Sequence, residues 1–514
     1  MRYVYGIAAA LLLGGTAATL TVGPVGAQTA QNEPGAITAA VPRAGAPTSF
    51  ADLAARLQPA VVNISTKQSI PAARSQGLPP GFEEFFRRFG APVPEGGDEP
   101  TTRRGGSLGS GFIISADGYV VTNNHVIAPA RNGATVEEIT VTLPNRKEYQ
   151  ARLIGRDVES DLALLKIDAS NLPFVRFGDS TRARVGDWVV AIGNPFGIGS
   201  TVTAGIVSAL HRNIGSGAYD RYIQTDASIN QGNSGGPMFD INGNVIGINT
   251  ALISPTGGNV GIGFAIPAEQ ARPIVESLRR GQRYQRGYIG VSMQDLDESV
   301  AGALGVPKDQ GTLIRGVTPG GAAARAGIQQ GDVILSVGGK PITPDESLAF
   351  LVAQQPVGSR VPFELIRNGR RQTVTVTIAE RPTVEELARL SGEETQQELR
   401  EQPTEQQSTG QRSARASLGV TVQSITPEIA RSLRLTNAPA SGLVITSVDP
   451  NSDAAAKGIQ TGDIILSVNQ RAVRSPEEAA AAVEGARTGG RRSVLLLVRR
   501  ANTPPIYVGI DLKR

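Results

Sequence analysis

The 514-residue chain contains no cysteine. Disulfides, thiolate catalysis and cysteine-ligated zinc are therefore excluded. It has two histidines, His125 and His211, so any imidazole chemistry has two candidates. Two isolated histidines without ligand spacing make no metal site, and no cofactor is expected. The net charge is +4, from 50 basic and 46 acidic residues. A charge that small gives no reason to expect nucleic acid, although the pI is basic. Beyond the N-terminus no segment approaches the ~20 apolar residues needed to span a bilayer.

What is present is ordinary for folded protein: 40% hydrophobic and 19% charged residues. The 61 glycines and 33 prolines point to turn-rich β domains with some flexible connections. At roughly 100–200 residues per domain, the length predicts about three domains.

Residues 1–27 read as an export signal. Arg2 is the only charge before Gln28, the stretch Gly6 to Val22 is apolar, and Val25-Gly26-Ala27 offers small residues at a cleavage site. The alternative is an uncleaved anchor. Residues 28–48, rich in Ala, Pro, Thr and Gly, read as a disordered leader.

Phe50, Leu53 and Leu57 have helical spacing before Pro59. Short strand-like runs follow: Val61 to Ile64, Gly111 to Ile114, Tyr119 to Thr122, Ile139 to Leu143, Leu162 to Ile167, Trp188 to Ile192 and Val245 to Ile248. No long helical pattern interrupts them until Ala268, which suggests sandwich or barrel architecture. A long loop, 68–106, interrupts the first pair. Phe82, Phe85, Phe86 and Phe89 form a helical stripe within it. That stripe is either a short helix packed on its own domain or a docking element for another subunit.

The C-terminal half repeats itself. Ala-Gly-Ile-Gln-Gln-Gly-Asp-Val-Ile-Leu-Ser-Val at 326–337 matches Lys-Gly-Ile-Gln-Thr-Gly-Asp-Ile-Ile-Leu-Ser-Val at 457–468. Two copies of one domain are expected, at 284–381 and 416–514. The polar stretch 382–415 between them reads as a linker, with Thr383 and Glu386 as a capping box.

Gly232-Asn233-Ser234-Gly235-Gly236-Pro237 is the most informative hexapeptide. Glycines flanking a serine permit a tight turn, and successive backbone N–H groups in it can converge on an oxyanion. A serine hydroxyl needs a base. His125 ends a strand-like run and is the better candidate; His211 lies in a polar loop and reads as a surface residue. No histidine follows Ser234, which eliminates the α/β-hydrolase order and leaves the order His, Asp, Ser of β-barrel proteases. Asp161, immediately before an apolar strand, is the expected acid. Asp157 and Asp168 sit in polar turns, and Asp226 is expected to serve only turn hydrogen bonding.

Thr122-Asn123-Asn124-His125-Val126, Ser160-Asp161-Leu162-Ala163 and Gly232-Asn233-Ser234-Gly235-Gly236-Pro237, followed by two Gly-Asp-Val/Ile-Ile repeats, resemble the HtrA/Deg (DegP-like, Do-like) family of serine proteases. The resemblance covers almost everything after residue 48. It implies a mainly β protein: a chymotrypsin-like double β-barrel at 49–280, then two PDZ domains of α+β type. His125 would be the base, Asp161 the orienting acid and Ser234 the nucleophile. The backbone N–H groups of Gly232 and Ser234 would form the oxyanion hole, with a peptide flip expected at Asn233.

Ser228 and Ile229 are expected at the base of the primary pocket, with no carboxylate to attract Lys or Arg. Asn249, Thr250, Ala251 and Leu252 are expected to pair with substrate backbone, Ile229 and Leu252 narrowing the pocket. Cleavage after Val, Ala or Ile is the corresponding expectation. Tyr288-Ile289-Gly290-Val291 and Ser417-Leu418-Gly419-Val420 fit the loop that captures a C-terminal carboxylate, although Ser417 stands where the first copy has Tyr288. Arg212 matches a sensor-loop arginine. The resemblance further implies a periplasmic location, unfolded polypeptides and C-terminal peptides as partners, and homotrimers packed through the segment around Phe50 that join into larger assemblies. A non-catalytic PDZ scaffold or holdase chaperone is the alternative.

Overall fold

The computed structural model describes residues 49–70, 103–129, 134–195, 199–215, 217–230, 232–252, 259–383, 386–387, 414–416, 418–432, 441–500 and 503–512. The expected signal, the leader, Phe82 to Phe89 and most of the linker lie outside them. Helix Ala51–Leu57 (α1) precedes the first strand.

Six antiparallel strands close the first barrel: Val61–Ile70 (β1), Arg103–Ile113 (β2), Tyr119–Thr122 (β3), Thr135–Thr142 (β4), Glu148–Asp157 (β5) and Leu162–Ile167 (β6), in the order β1-β2-β3-β6-β5-β4. Alternate residues such as Val62, Ile64, Ile113, Val120, Val141 and Leu165 fill it. Closure leaves no free sheet edge to pair with another chain. The β1–β2 ladder runs on to Ile70↔Arg103, so the ends of the expected 68–106 loop are strand instead.

Trp188–Gly193 (β7), Thr201–Arg212 (β8), Tyr222–Thr225 (β9), Pro237–Phe239 (β10), Val245–Leu252 (β11) and Gly263–Pro267 (β12) close the second barrel in the order β10-β11-β12-β9-β8-β7. Helix Ala268–Arg279 (α3, after the short α2 at Asn124–Ile127) then packs on β5 and β6. Its buried residues Ala271, Ile274, Val275 and Leu278 form a single stripe. That cover explains why β6 is apolar almost without alternation: five of its six residues are buried.

Each repeat is an open sheet with short helices. The repeated Gly-Asp acts identically in both copies. Asp332 and Asp463 are buried, at 1% and 2% exposure. Each accepts a backbone N–H three residues earlier (Gln329, Gln460) and a bidentate arginine (Arg367, Arg500). Each arginine also donates to a glycine carbonyl, Gly327 or Gly458. Leu296, Val300, Ala303 and Leu313 of the first copy share one apolar cluster with Leu495, Leu497 and Tyr507 of the second.

Candidate active site

Three local structures bring the expected residues together across the two barrels. His125 lies on α2, the single turn after β3. Asp161 ends the β5–β6 turn with φ of 55°, a left-handed backbone that Asp tolerates better than most residues. Ser234 lies in the turn before β10.

The Asp161 carboxylate has three partners. Its Oδ2 is 2.6 Å from His125 Nδ1 and accepts Thr250 Oγ1 at 2.9 Å, while Oδ1 accepts the His125 backbone N–H at 2.8 Å. The Asp161 carbonyl accepts the Asn124 N–H and the Asn123 side-chain amide. One carboxylate thus fixes both the ring and the backbone of His125. The imidazole side chain is 49% exposed, and Nδ1 is the ring nitrogen turned to the carboxylate.

The serine turn is held mostly by its own backbone. The N–H groups of Asn233, Gly235 and Gly236 donate to Asn230 O, Asn249 O and Asn233 O at 3.0, 2.7 and 3.0 Å. Among the described residues the N–H groups of Gly232 and Ser234 have no backbone partner. These are the two donors expected at an oxyanion hole. A Cβ on Gly235, at φ of 84°, would fall 2.2 Å from Ser110 O, which is why only glycine fits. The Gly232–Asn233 peptide, where a flip was expected, is held at both ends: Ser110 Oγ donates to Gly232 O, and Asn233 N–H reaches Asn230 O. Ser234 Oγ itself donates to Thr250 O at 3.4 Å.

Some expected pocket residues are placed differently. Along 226–230 burial alternates, so Ala227 and Ile229 point into the barrel while Asp226, Ser228 and Asn230 face out. Ile229, 1% exposed, is a core residue of the second barrel rather than a wall that narrows the pocket. Ser228 keeps its place beside the serine turn, its carbonyl accepting the Asn233 amide at 3.3 Å. Asp226 accepts the Ile206 N–H, as expected of a structural carboxylate. Beyond Ile248, β11 pairs as a strand only with β12; on its other edge the Asn249 carbonyl and N–H are taken by Gly235 N–H and Gly236 O, and the Thr250 carbonyl by Ser234 Oγ, which sets this edge against the serine turn. The side chains of Ala251 and Leu252 lie outside the described residues. Thr250 was expected only as strand edge, and its hydroxyl on Asp161 is an additional role.

Asp157, expected in a polar turn, is instead buried. It receives both amino groups of Arg286 and the hydroxyl and N–H of Ser160, next to Asp161. Glu159 pairs with Arg381 and Arg286. Burial works against the Arg286 charge, but the hydrogen bond and charge of Asp157 outweigh it and raise its pKa. Tyr219 lies under Arg286 and Arg381, and burial pushes its hydroxyl up to about 12. Arg212 is exposed and donates to Gln224 within its own barrel. Toward the first repeat it is Arg221 that reaches across, 4.1 Å over Phe350.

In the first repeat Gly290 has φ of 76°, shaping the loop Tyr288 to Val291, and strand Val291–Gln294 ends its sheet. In the second repeat Gly419 has the same φ, but the corresponding strand Val420–Ser424 is already paired antiparallel with the chain's own Ala414–Ala416. Helix Pro476–Thr488 lies against that added strand. The expected peptide site at Leu418, Gly419 and Val420 therefore has no free edge; Leu418 is itself a core residue.

Residues 109–248 match the trypsin-like peptidase domain family, and residues 287–378 and 444–500 match PDZ domain families. The chain is 39% identical over 541 residues to a probable periplasmic serine endoprotease DegP-like of Brucella suis biovar 1 (strain 1330), covering 100% of this chain and 98% of that protein. The chain belongs to the DegP-like serine endoprotease family. A DegP-like relative from Pseudomonas putida (strain W619) is 41% identical over 84% of this chain and 86% of its own. Among solved structures, "HtrA-type protease AlgW with decapeptide" superposes with a TM-score of 0.53 at 40% identity, covering 65% of this chain and 99% of that one. This DegP-like chain is thus a serine endopeptidase with a double-barrel peptidase domain and two PDZ domains. The DegP-like relatives carry periplasmic names, and no helix among the described residues is long and apolar enough to cross a membrane.

Proposed function

We propose that the protein is exported to the periplasm through residues 1–27 and hydrolyses peptide bonds of misfolded chains with Ser234, His125 and Asp161. The carrying observation is the 2.6 Å pair of His125 Nδ1 and Asp161 Oδ2, tied through Thr250 to Ser234, in whose turn the Gly232 and Ser234 N–H groups have no backbone partner among the described residues.

In this reading the Ser234 side chain turns from Thr250 O toward the outer imidazole nitrogen. That nitrogen takes the hydroxyl proton as Oγ attacks the carbonyl carbon. Asp161 keeps the ring in the tautomer that can accept this proton and stabilises the imidazolium. The Gly232 and Ser234 N–H groups receive the oxyanion. The imidazolium then protonates the leaving amine, and water repeats the sequence to release the acyl group.

With Ser228 beside the turn and no carboxylate at the pocket base, substrates with Val, Ala or Ile before the cut are favoured. The PDZ loop Tyr288 to Val291 is read as the receptor for peptide C-termini, consistent with the decapeptide named for the AlgW structure. Oligomers built through the Phe50 segment belong to the same reading, and deletion of 75–95 tests whether that loop sets resting activity and particle size. Unfolded casein incubated with the wild type, Ser234→Ala and His125→Ala tests the whole. Cleavage by the wild type alone is expected; no cleavage by any of them would favour a holdase or scaffold.

A further inference from the structure

Ser110, on β2 of the first barrel, is completely buried and bonds the serine turn of the second barrel through its N–H and its hydroxyl. Its N–H donates to Ser234 O at 2.8 Å. Its hydroxyl donates to Gly232 O at 2.5 Å and accepts the Asn194 N–H at 2.8 Å. Its carbonyl is fixed by Thr122 Oγ1 at 2.7 Å, and the Asn63 side chain ties Asn194 O to Gly109 O. The hydroxyl is thus fully used, and it is the side-chain partner of the carbonyl between Gly232 and Asn233.

A peptide unit is planar, so holding the Gly232 carbonyl also holds the Asn233 N–H, which reaches Asn230 O, and with it the one peptide plane that joins the Gly232 and Ser234 donors. Gly232 lacks a Cβ and has φ of 101°, so its own backbone does little to restrain it. We propose that Ser110 is a positioning residue for the oxyanion hole, its hydroxyl holding the Gly232 carbonyl so that the Gly232 and Ser234 N–H groups converge on one point. This rests on the reading of Ser234 as nucleophile. Ser110 touches no substrate; it acts through Gly232. Loss of its hydroxyl would leave Gly232 O and the Asn194 N–H buried without that partner, and the turn would relax toward other ways of satisfying them.

A positioning role and a merely structural one part company in the kinetics. An oxyanion interaction forms in the transition state and not in the bound substrate, so its loss lowers kcat and leaves KM. Removing one oxyanion donor typically lowers the rate on the order of 10²–10³-fold. Ser110→Ala and Ser110→Cys, the latter close in size with a weak S–H donor, are compared in the full chain on a fluorogenic peptide ending in Val before the cut. The expected result is a fall of kcat on the order of 10²-fold, KM within about twofold, and a parallel loss of affinity for a peptide boronate that forms a tetrahedral adduct. Thermal unfolding of each variant shows which one folds; if Ala does not, Cys carries the test. Unchanged kcat in a folded variant, or a rise in KM with kcat retained, overturns the inference while leaving the triad intact. A wild type that cleaves nothing overturns both.

Discussion

Thr250 Oγ1 and His125 Nδ1 converge on the same oxygen of Asp161, at 2.9 and 2.6 Å. The threonine comes from β11 of the second barrel, and Asp161 and His125 come from the first. The carboxylate orientation is therefore a joint product of both barrels. Thr250→Val keeps the shape and removes the donor. It should lower kcat roughly tenfold, about 1.4 kcal/mol in the barrier, with little change in KM. Asp161→Asn should cost far more, about 10⁴-fold, because the tautomer is lost. Steady-state kinetics check both; equal losses in the two variants would contradict the arrangement.

Asp157 and Arg286 are both nearly inaccessible, at 8% and 5% exposure. Removing one member leaves an uncompensated buried charge. Arg286→Ala should therefore destabilise by about 3–5 kcal/mol, whereas replacing both members with apolar residues of similar volume should cost much less. Calorimetric unfolding of the single and double variants checks this. Additive losses would contradict the pairing.

Tyr219 and Tyr507 are both pushed by burial from 10.0 to about 12. With the folded value raised above the unfolded one, their share of stability is present below pH 10 and is lost as pH rises through 12. The protein should unfold in that window, with these two hydroxyls ionising last in the ultraviolet tyrosinate titration. Tyr219→Phe should shift the alkaline midpoint upward. A midpoint unmoved by this change would contradict the burial.

The strand Ala414–Ala416 occupies the edge of the second PDZ domain. An apolar C-terminal peptide should bind the full chain at one site per chain by titration calorimetry. Arg415→Pro, which removes a backbone donor from that added strand, should open a second site. Two sites in the unmodified chain would contradict the occupied edge.

The order of His125, Asp161 and Ser234 was legible because catalytic residue types were so few; two histidines left little to choose. Apolar strands such as Leu162–Ile167 were equally legible. Glu148–Asp157 was not, because its mixed burial carries Glu, Gln and two Arg in place of an alternating pattern. Thr201–Arg212 is one continuous strand but carries Gly205 within it, which breaks the strand pattern in the sequence, and Pro237–Phe239 is only three residues long. Asp157 was misread for a physical reason: its partner Arg286 is 129 residues away, and no local pattern signals such a pair. Ser110 and Thr250 were likewise hidden, since a hydroxyl's partner is set by tertiary approach. Ile229 was misplaced because position relative to Ser234 says nothing of which way a side chain alternates.

The most direct test of the account is covalent. The full chain is treated with a fluorophosphonate probe and the modified residue is located by mass spectrometry. One adduct is expected, on Ser234, absent in Ser234→Ala and strongly slowed in His125→Ala with the fold retained. No adduct on the folded wild type, or an adduct on a different serine, would contradict it.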